Sequence, residues 1–430
     1  MLNRVGRLWS AAPRLYRSGV GGGGDSAQGR TKVCTSLLLF VLTLCYAPVL
    51  SACSRSDSTT RHDSTAALAD LVWAYGQSHP DGFTLDLRTM TAPREGIAVS
   101  YAATQGSHSR SQAAGVVGHA LQHDGYVGGW IDGQQGLYYF DSTRLFAEDS
   151  LGAAIRFGKE NGQQAAFILS THTNIPLYGK VAQIAERDTL LVGTTGDYRP
   201  LSFCEDDGTR WGFCLEVAQQ IARRLGVAIA YVNTSWPTLT ADVMGDEQGQ
   251  TTFDLAIGGI TITDTRKQTM LMSEGYLANG KTIICRADEA SRFRSLADID
   301  KPGVRVMVNP GGLNEKFAND SLKQATIVVH QRNEQIPSLI AEGEADVMIT
   351  EITEAPYYVR TDSRLAAPLL SQPFTHGQIG VLMRKGQEDL LQMVNNTIRQ
   401  MKADGSLRAL HEKYGLVYAY GDEPQQGQSQ

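Results

Sequence analysis

Residues 254 to 281, DLAIGGITITDTRKQTMLMSEGYLANGK, hold the side chains best suited to chemistry. The stretch opens as an apolar strand at Leu255, Ala256 and Ile257, then breaks at Gly258 and Gly259, where backbone can approach a ligand without side-chain bulk. It runs through the hydroxyls of Thr261 and Thr263 into Asp264, Thr265 and Arg266, which read as a helix start. Hydroxyl donors, free backbone N–H groups and a guanidinium fork at one point suit a small carboxylate. Arg266 is the expected anchor for an anionic ligand. Taken alone it could equally be a surface arginine paired with Asp264, since exposed ion pairs are common. A second anion cradle is legible at Asn309-Pro310-Gly311-Gly312, a turn before a helix that directs backbone N–H groups at one place.

These residues must be positioned by alternating strands and helices. Residues 190 to 194 read as a strand feeding a Gly-Asp-Tyr loop at its C-terminal end, the usual place for ligands in an open α/β sheet. A hairpin follows, then a helix over 215–225 with Val217, Ile221 and Leu225 on one face, and a strand over 228–232. The alternation continues to about residue 286 and predicts a mostly parallel sheet wrapped by helices. A second α/β unit spans roughly 287–372, and the chain returns to the first near 379–383. A helix over 388–403, with Leu391, Val394, Ile398 and Met401 inward, packs back on the first lobe. Lobe one is expected at about 181–285 and 377–418, and lobe two at about 286–376. Two crossovers, near Cys285 and Thr375, make a cleft that can close as a hinge.

The chain has 430 residues, too long for one core. A net charge of −6 and ordinary composition give no reason to invoke nucleic acid and point to a small ligand. Residues 33 to 49 form the one long apolar run, preceded by Arg30 and Lys32 and followed by Leu50-Ser51-Ala52-Cys53. That describes an export signal over 1–53. The tetrad resembles the bacterial lipobox, which implies a lipid on Cys53 and a membrane anchor. A plain transmembrane span is the alternative. Either places the rest outside the cytoplasm, in the periplasm or cell envelope.

Of six cysteines, Cys34 and Cys45 fall in the signal. Cys204 and Cys214 flank EDDGTRWGF, whose Asp207-Gly208 reads as a hairpin turn, so a disulfide between them is expected in an oxidising compartment, with Cys285 a buried thiol. A polar tether is expected over 54–64 and a disordered tail over 419–430. Residues 65 to 174 pattern as a small α+β domain of unrecognised function, with helices at 66–77, 112–123 and 151–161, strands at 83–88, 97–101 and 165–169, and a hairpin or pair of strands over 127–141. His119 and His123 are four apart, but the intervening HALQH lacks the glutamate of a zinc helix, so no metal is expected. Trp130, Tyr138, Tyr139 and Phe140 could meet a partner or a glycan, or belong to the core.

The segment around Arg266 resembles the carboxylate-binding segment of periplasmic amino-acid-binding proteins, which implies a type II bilobed periplasmic-binding-protein fold. VGTTGDYRP, NTSWPTL, GGITIT, NGKT, KPGVRVMVNPGGLNEKF and EGEADVMITEITEA, in order over about 190–415, further resemble the cyclohexadienyl dehydratase family. That resemblance implies an enzyme without cofactor, removing water and carbon dioxide from prephenate or arogenate. It implies Glu354 as the proton donor, Asn309 and Lys281 beside it, and Asn314 as a further contact. Arg266 and Thr261 would hold one carboxylate, and Lys281 would supply the second positive charge. Trp236 and Tyr198 can wall the ring. Glu354 read without the family is a solvated first-turn glutamate whose pKa the helix dipole lowers. Two departures stand out: Cys214 replaces an acidic residue after Gly-Phe, and Glu351 replaces the aspartate that grips an amino group, which puts arogenate in doubt.

The competing function is a non-catalytic receptor that hands an amino acid to an ABC transporter. Such a receptor needs neither a proton donor nor a second cation. A chorismate mutase in the first domain is disfavoured by its β-rich pattern. Self-association is left open.

Overall fold

The computed structural model describes residues 56–132, 137–246 and 250–420. The apolar segment, the lipobox with Cys53, and the tail from residue 421 lie outside them. Among the described residues no helix is long and apolar enough to cross a membrane.

The N-terminal part is built on a six-stranded sheet with Tyr126–Asp132 and Leu137–Phe146 at its centre, flanked by Phe83–Asp86 on one side and by Ile97–Ser100, Ala165–Ile168 and Thr173–Pro176 on the other. Every pairing in it is antiparallel. Strand alternation sends Leu85, Val127 and Phe140 to one face, where they meet Ala113, Val116, Val117 and Ala120 of the helix Arg110–Gln122. Those four recur at helical spacing, and Ser109 with Gln112 closes the helix start as a capping box. The first helix is Ser56–Ser78, so most of the expected tether is helical.

The expected break between residues 174 and 181 is not a linker. Residues 173–176 add the last strand, and Lys180–Arg187 forms a helix that buries Val181, Ala182, Ile184 and Ala185. These side chains join Leu151, Ile155 and Ile175 with Leu190, Val192, Val394 and Ile398 in one apolar cluster. Buried Asp254 fixes the join, taking Lys180 Nζ at 2.7 Å and the Arg187 guanidinium. Asp389 accepts the Val181 backbone N–H at 2.8 Å.

Lobe one is a five-stranded sheet ordered Ala228–Asn233, Thr189–Thr194, Leu255–Ala256, Leu382–Arg384, Met270–Met272. The first three strands run parallel, and the returning Leu382–Arg384 lies antiparallel between its neighbours. Helix Glu388–Ala403 buries Leu390, Met393, Val394, Ile398 and Met401, with Leu391 at the margin.

Lobe two is ordered Thr326–Val329, Arg305–Val308, Val347–Glu351, Lys281–Arg286, Leu365–Ala366. Its central strands feed two cores by alternation: Ile283, Cys285, Val347 and Ile349 to one, Ile284 and Met348 to the other. The lobes are joined by Leu277–Asn279 paired antiparallel with Gly377–Ile379. The first crossover therefore precedes Cys285, and Lys281 belongs to lobe two, because its strand pairs with Val347–Glu351 over its whole apolar length.

The expected disulfide is absent; Cys204, Cys214 and Cys285 are free. Cys204 faces Arg210 across the short hairpin, whereas Cys214 has already entered the helix Phe213–Leu225 and points into the core. The hairpin ends before Cys214, so the two thiols never share a strand pair.

Candidate active site

The strand Leu255–Ala256 ends at Gly258 (φ +138°) and Gly259 (φ +89°). A Cβ on Gly259 would fall 2.4 Å from the Tyr198 ring, so glycine is what lets that ring close on the backbone. Thr263 caps the following helix Asp264–Thr269, accepting Arg266 N–H at 3.2 Å. Arg266 turns back across this turn and donates to the Thr261 carbonyl at 2.6 Å. Burial lowers its pKa from the usual arginine value, opposed by the charge of Glu351. The alternative pairing with Asp264 is not formed: Asp264 is exposed, and Arg266 has no ion-pair partner among the described residues. A desolvated guanidinium without a carboxylate is suited to an anion.

Lobe two supplies the facing wall. Lys281 and Glu351 are register partners in neighbouring strands, and their side chains pair at 2.6 Å. Lys281 also donates to Asn314 Oδ1 at 2.5 Å. Glu351 accepts the Tyr198 hydroxyl, a bond between the lobes, and lies 3.4 Å from the Thr261 hydroxyl. Burial alone would raise the pKa of Glu351, but the charge and hydrogen bonds of Lys281 and the Tyr198 hydroxyl outweigh it and hold the carboxyl below its usual range.

Between these walls lies a narrow cavity with about 340 Å³ of empty space, much of it open to solvent, lined by Tyr198, Trp236, Thr261, Arg266, Lys281, Asn309, Asn314, Asn333 and Glu351 among others. Its charged lining is Arg266 and Lys281 against Glu351, a net of +1. Trp236 meets Tyr198 edge-on at 5.9 Å between ring centroids and donates to Asp197 at 3.1 Å. Asn309 is 5 % exposed, and its Oδ1 has no hydrogen-bond partner. A buried acceptor left open at a cavity wall calls for a donor from a ligand.

Glu354 does not line the cavity; it is fully buried one residue behind it. Asn333, which does line it, donates Nδ2 to Glu354 Oε1 at 2.8 Å, and the Thr350 hydroxyl donates to Oε2. Burial pushes the Glu354 pKa up to about 8; the charges of Glu351 and Asp197 add to this, while the bonds from Thr350 and Asn333 oppose it. Although Glu354 stands at the start of helix Ala355–Thr361, its side chain makes no cap. The solvated, dipole-lowered glutamate is thus excluded. Every other expected contact residue reaches the cavity.

Asn333 and Asp197 were not expected. Asp197 adjoins Tyr198 in the loop already marked by its place at a strand end, and burial raises its pKa. Asn333 sits in the polar run HQRNEQ, which has no pattern that separates it from a surface turn. Elsewhere, His119 and His123 stack with ring centroids 3.9 Å apart, and His119 bonds the Ser142 hydroxyl at 2.9 Å.

Comparison with known proteins covers the two-lobed part. The chain is 38% identical over 235 residues to a cyclohexadienyl dehydratase of Pseudomonas aeruginosa, covering 55% of this chain and 85% of that one. It is 30% identical over 237 residues to the L-cystine-binding protein TcyJ of Escherichia coli, covering 55% and 86%. Among solved structures, an ancestral amino acid-binding protein described as a precursor of cyclohexadienyl dehydratase superposes with a TM-score of 0.51 at 34% identity, covering 55% of this chain and 99% of that one. Residues 190–417 match the model of the bacterial extracellular solute-binding proteins, family 3, and the chain, bilobed with two crossing strands, belongs to that family.

Proposed function

We propose that the closed cleft catalyses the decarboxylating dehydration of arogenate to phenylalanine, of prephenate to phenylpyruvate, or of both. The observation that carries this reading is Glu354, fully buried, with a pKa pushed up to about 8, and held against a cavity residue by Asn333. A carboxyl of that kind remains protonated at neutral pH and can act as a general acid.

The reaction needs little else. The ring carboxylate leaves as carbon dioxide, its C–C bond electrons form the new ring double bond, and the ring hydroxyl departs. The Glu354 proton goes to that hydroxyl, which leaves as water. Arg266, with the Thr261 hydroxyl nearby, holds the side-chain carboxylate. Lys281 and the turn at Asn309 hold the ring carboxylate, and Tyr198 and Trp236 wall the ring and keep water out. Glu354 reaches the ring hydroxyl when substrate displaces the Asn333 amide, whose Oδ1 has no partner to hold it. No metal or cofactor enters the scheme. The family is extracellular, and we place the chain in the periplasm or cell envelope, anchored by a lipid on Cys53.

One observation favours a second reading. Lys281 is already paired with Glu351, so the cavity as it stands matches the carboxylate and ammonium of an ordinary amino acid. A receptor feeding an ABC transporter would use that match and leave Glu354 idle. Mixing the purified chain with prephenate and with arogenate separates the two. Appearance of phenylpyruvate or phenylalanine supports the lyase; no turnover together with tight amino-acid binding in calorimetry supports the receptor.

A further inference from the structure

The N-terminal sheet has a second face, opposite its helices. An antiparallel sheet facing water ordinarily carries long polar side chains there. Here the floor is small: Ala98, Ser100, Gly128, Thr143 and Ala165. At Gly128 a Cβ would fall 2.8 Å from the Thr143 hydroxyl, so the strand lies bare. Trp130, 48 % exposed, rises from this floor and stacks on Tyr139 with ring centroids 4.9 Å apart and planes 19° from parallel. The resulting groove holds about 1520 Å³ of space, part of it open to solvent.

Asp141 stands on the same face and is only 7 % exposed. Its Oδ2 accepts Trp130 Nε1 at 3.3 Å, and its Oδ1 has no hydrogen-bond partner. A carboxylate buried with one oxygen open is costly, and burial pushes its pKa up to about 6. Among the described residues, the one charged residue besides Asp141 that lines the groove is Asp81, and no lysine or arginine lines it. The groove thus offers negative charge beside an aromatic face, the pairing that recognises an organic cation.

We propose that this groove is a binding site for a small organic cation, with an ammonium or guanidinium group on Asp141 and the body of the ligand against Trp130 and Tyr139. The site is separate from the cleft between the lobes and does not depend on the reaction assigned there.

The test is calorimetric titration of the full chain with agmatine and with choline, neither of which has a carboxylate for Arg266, and with maltose as an uncharged comparison. At least one of the cations should bind saturably at one site. Asp141→Asn should weaken that binding by about tenfold or more, as expected for losing a desolvated charge pair. Trp130→Ala, at an exposed position, should weaken it while leaving the melting temperature unchanged, and Arg266→Ala should leave it intact. The proposal is overturned if neither cation binds at millimolar concentration, or if maltose binds and the cations do not. It is also overturned if binding survives in both Asp141→Asn and Trp130→Ala, or disappears in Arg266→Ala.

Discussion

Lys281 and Glu351 face each other at one register position of lobe two, paired at 2.6 Å with side chains 8% and 5% exposed. The pair decides how the cleft counts charge. With it intact, the two charges largely offset each other, Arg266 is the cation left over, and Glu351 is the acidic group at the cavity wall. Glu351→Gln frees Lys281 and removes that group. The expected outcome is a shift in kcat/KM of about tenfold or more from arogenate toward prephenate, which brings two carboxylates and no ammonium. Parallel assays with both substrates measure it, and an unchanged ratio would remove Glu351 from substrate choice.

Arg266→Ala should weaken ligand binding by roughly 2–5 kcal/mol, the usual cost of truncating one partner of a buried charged pair. Calorimetry with a product or competing amino acid reads this directly. Binding within twofold or so of the parent would place the carboxylate elsewhere.

Glu354→Gln keeps shape and hydrogen bonding but has no proton to deliver. Turnover should fall by roughly 10²–10⁴-fold while ligand affinity holds. In the parent protein the rate should decline as pH rises through about 8, where the acid loses its proton. Near-normal turnover in the variant would end the proton-donor role.

The same carboxyl makes stability depend on pH. Its pKa is higher folded than unfolded, so the folded state binds the extra proton. That contribution is complete below the ordinary glutamate range, is lost as pH rises toward about 8, and levels off above. Denaturant midpoints should therefore fall across this window, and Glu354→Gln should flatten the fall. Equal slopes in parent and variant would contradict the shift.

With no disulfide at Cys204 and Cys214, a reductant should leave the melting temperature unchanged. Alkylation followed by mass spectrometry should label half-buried Cys204 in the folded protein. Cys214, buried and with its thiol pushed up to about 12, should react only after unfolding. A pair recovered as a disulfide peptide would reverse the assignment.

The two-lobed architecture was largely legible because its signals are local. Gly258 and Gly259 end a strand, Thr263 caps a helix, and apolar runs such as Lys281–Arg286 mark strands buried on both faces. The motifs also located the cavity contacts. Position relative to the cavity was not legible: Glu354 lies behind Asn333, a partner 21 residues earlier in a loop without periodicity. The cysteines misled because a turn at Asp207-Gly208 says where a hairpin bends, not where its second strand stops. The helix Lys180–Arg187 was missed because its apolar positions span barely two turns, too few for a period to stand out.

That helix has a mechanical consequence. Since it welds the N-terminal sheet to lobe one through a common interior, those two parts form a pedestal, and lobe two hangs from it by the ribbon of Leu277–Asn279 and Gly377–Ile379. If the cleft opens about that ribbon, lobe two is the part that swings, and the N-terminal sheet travels with lobe one.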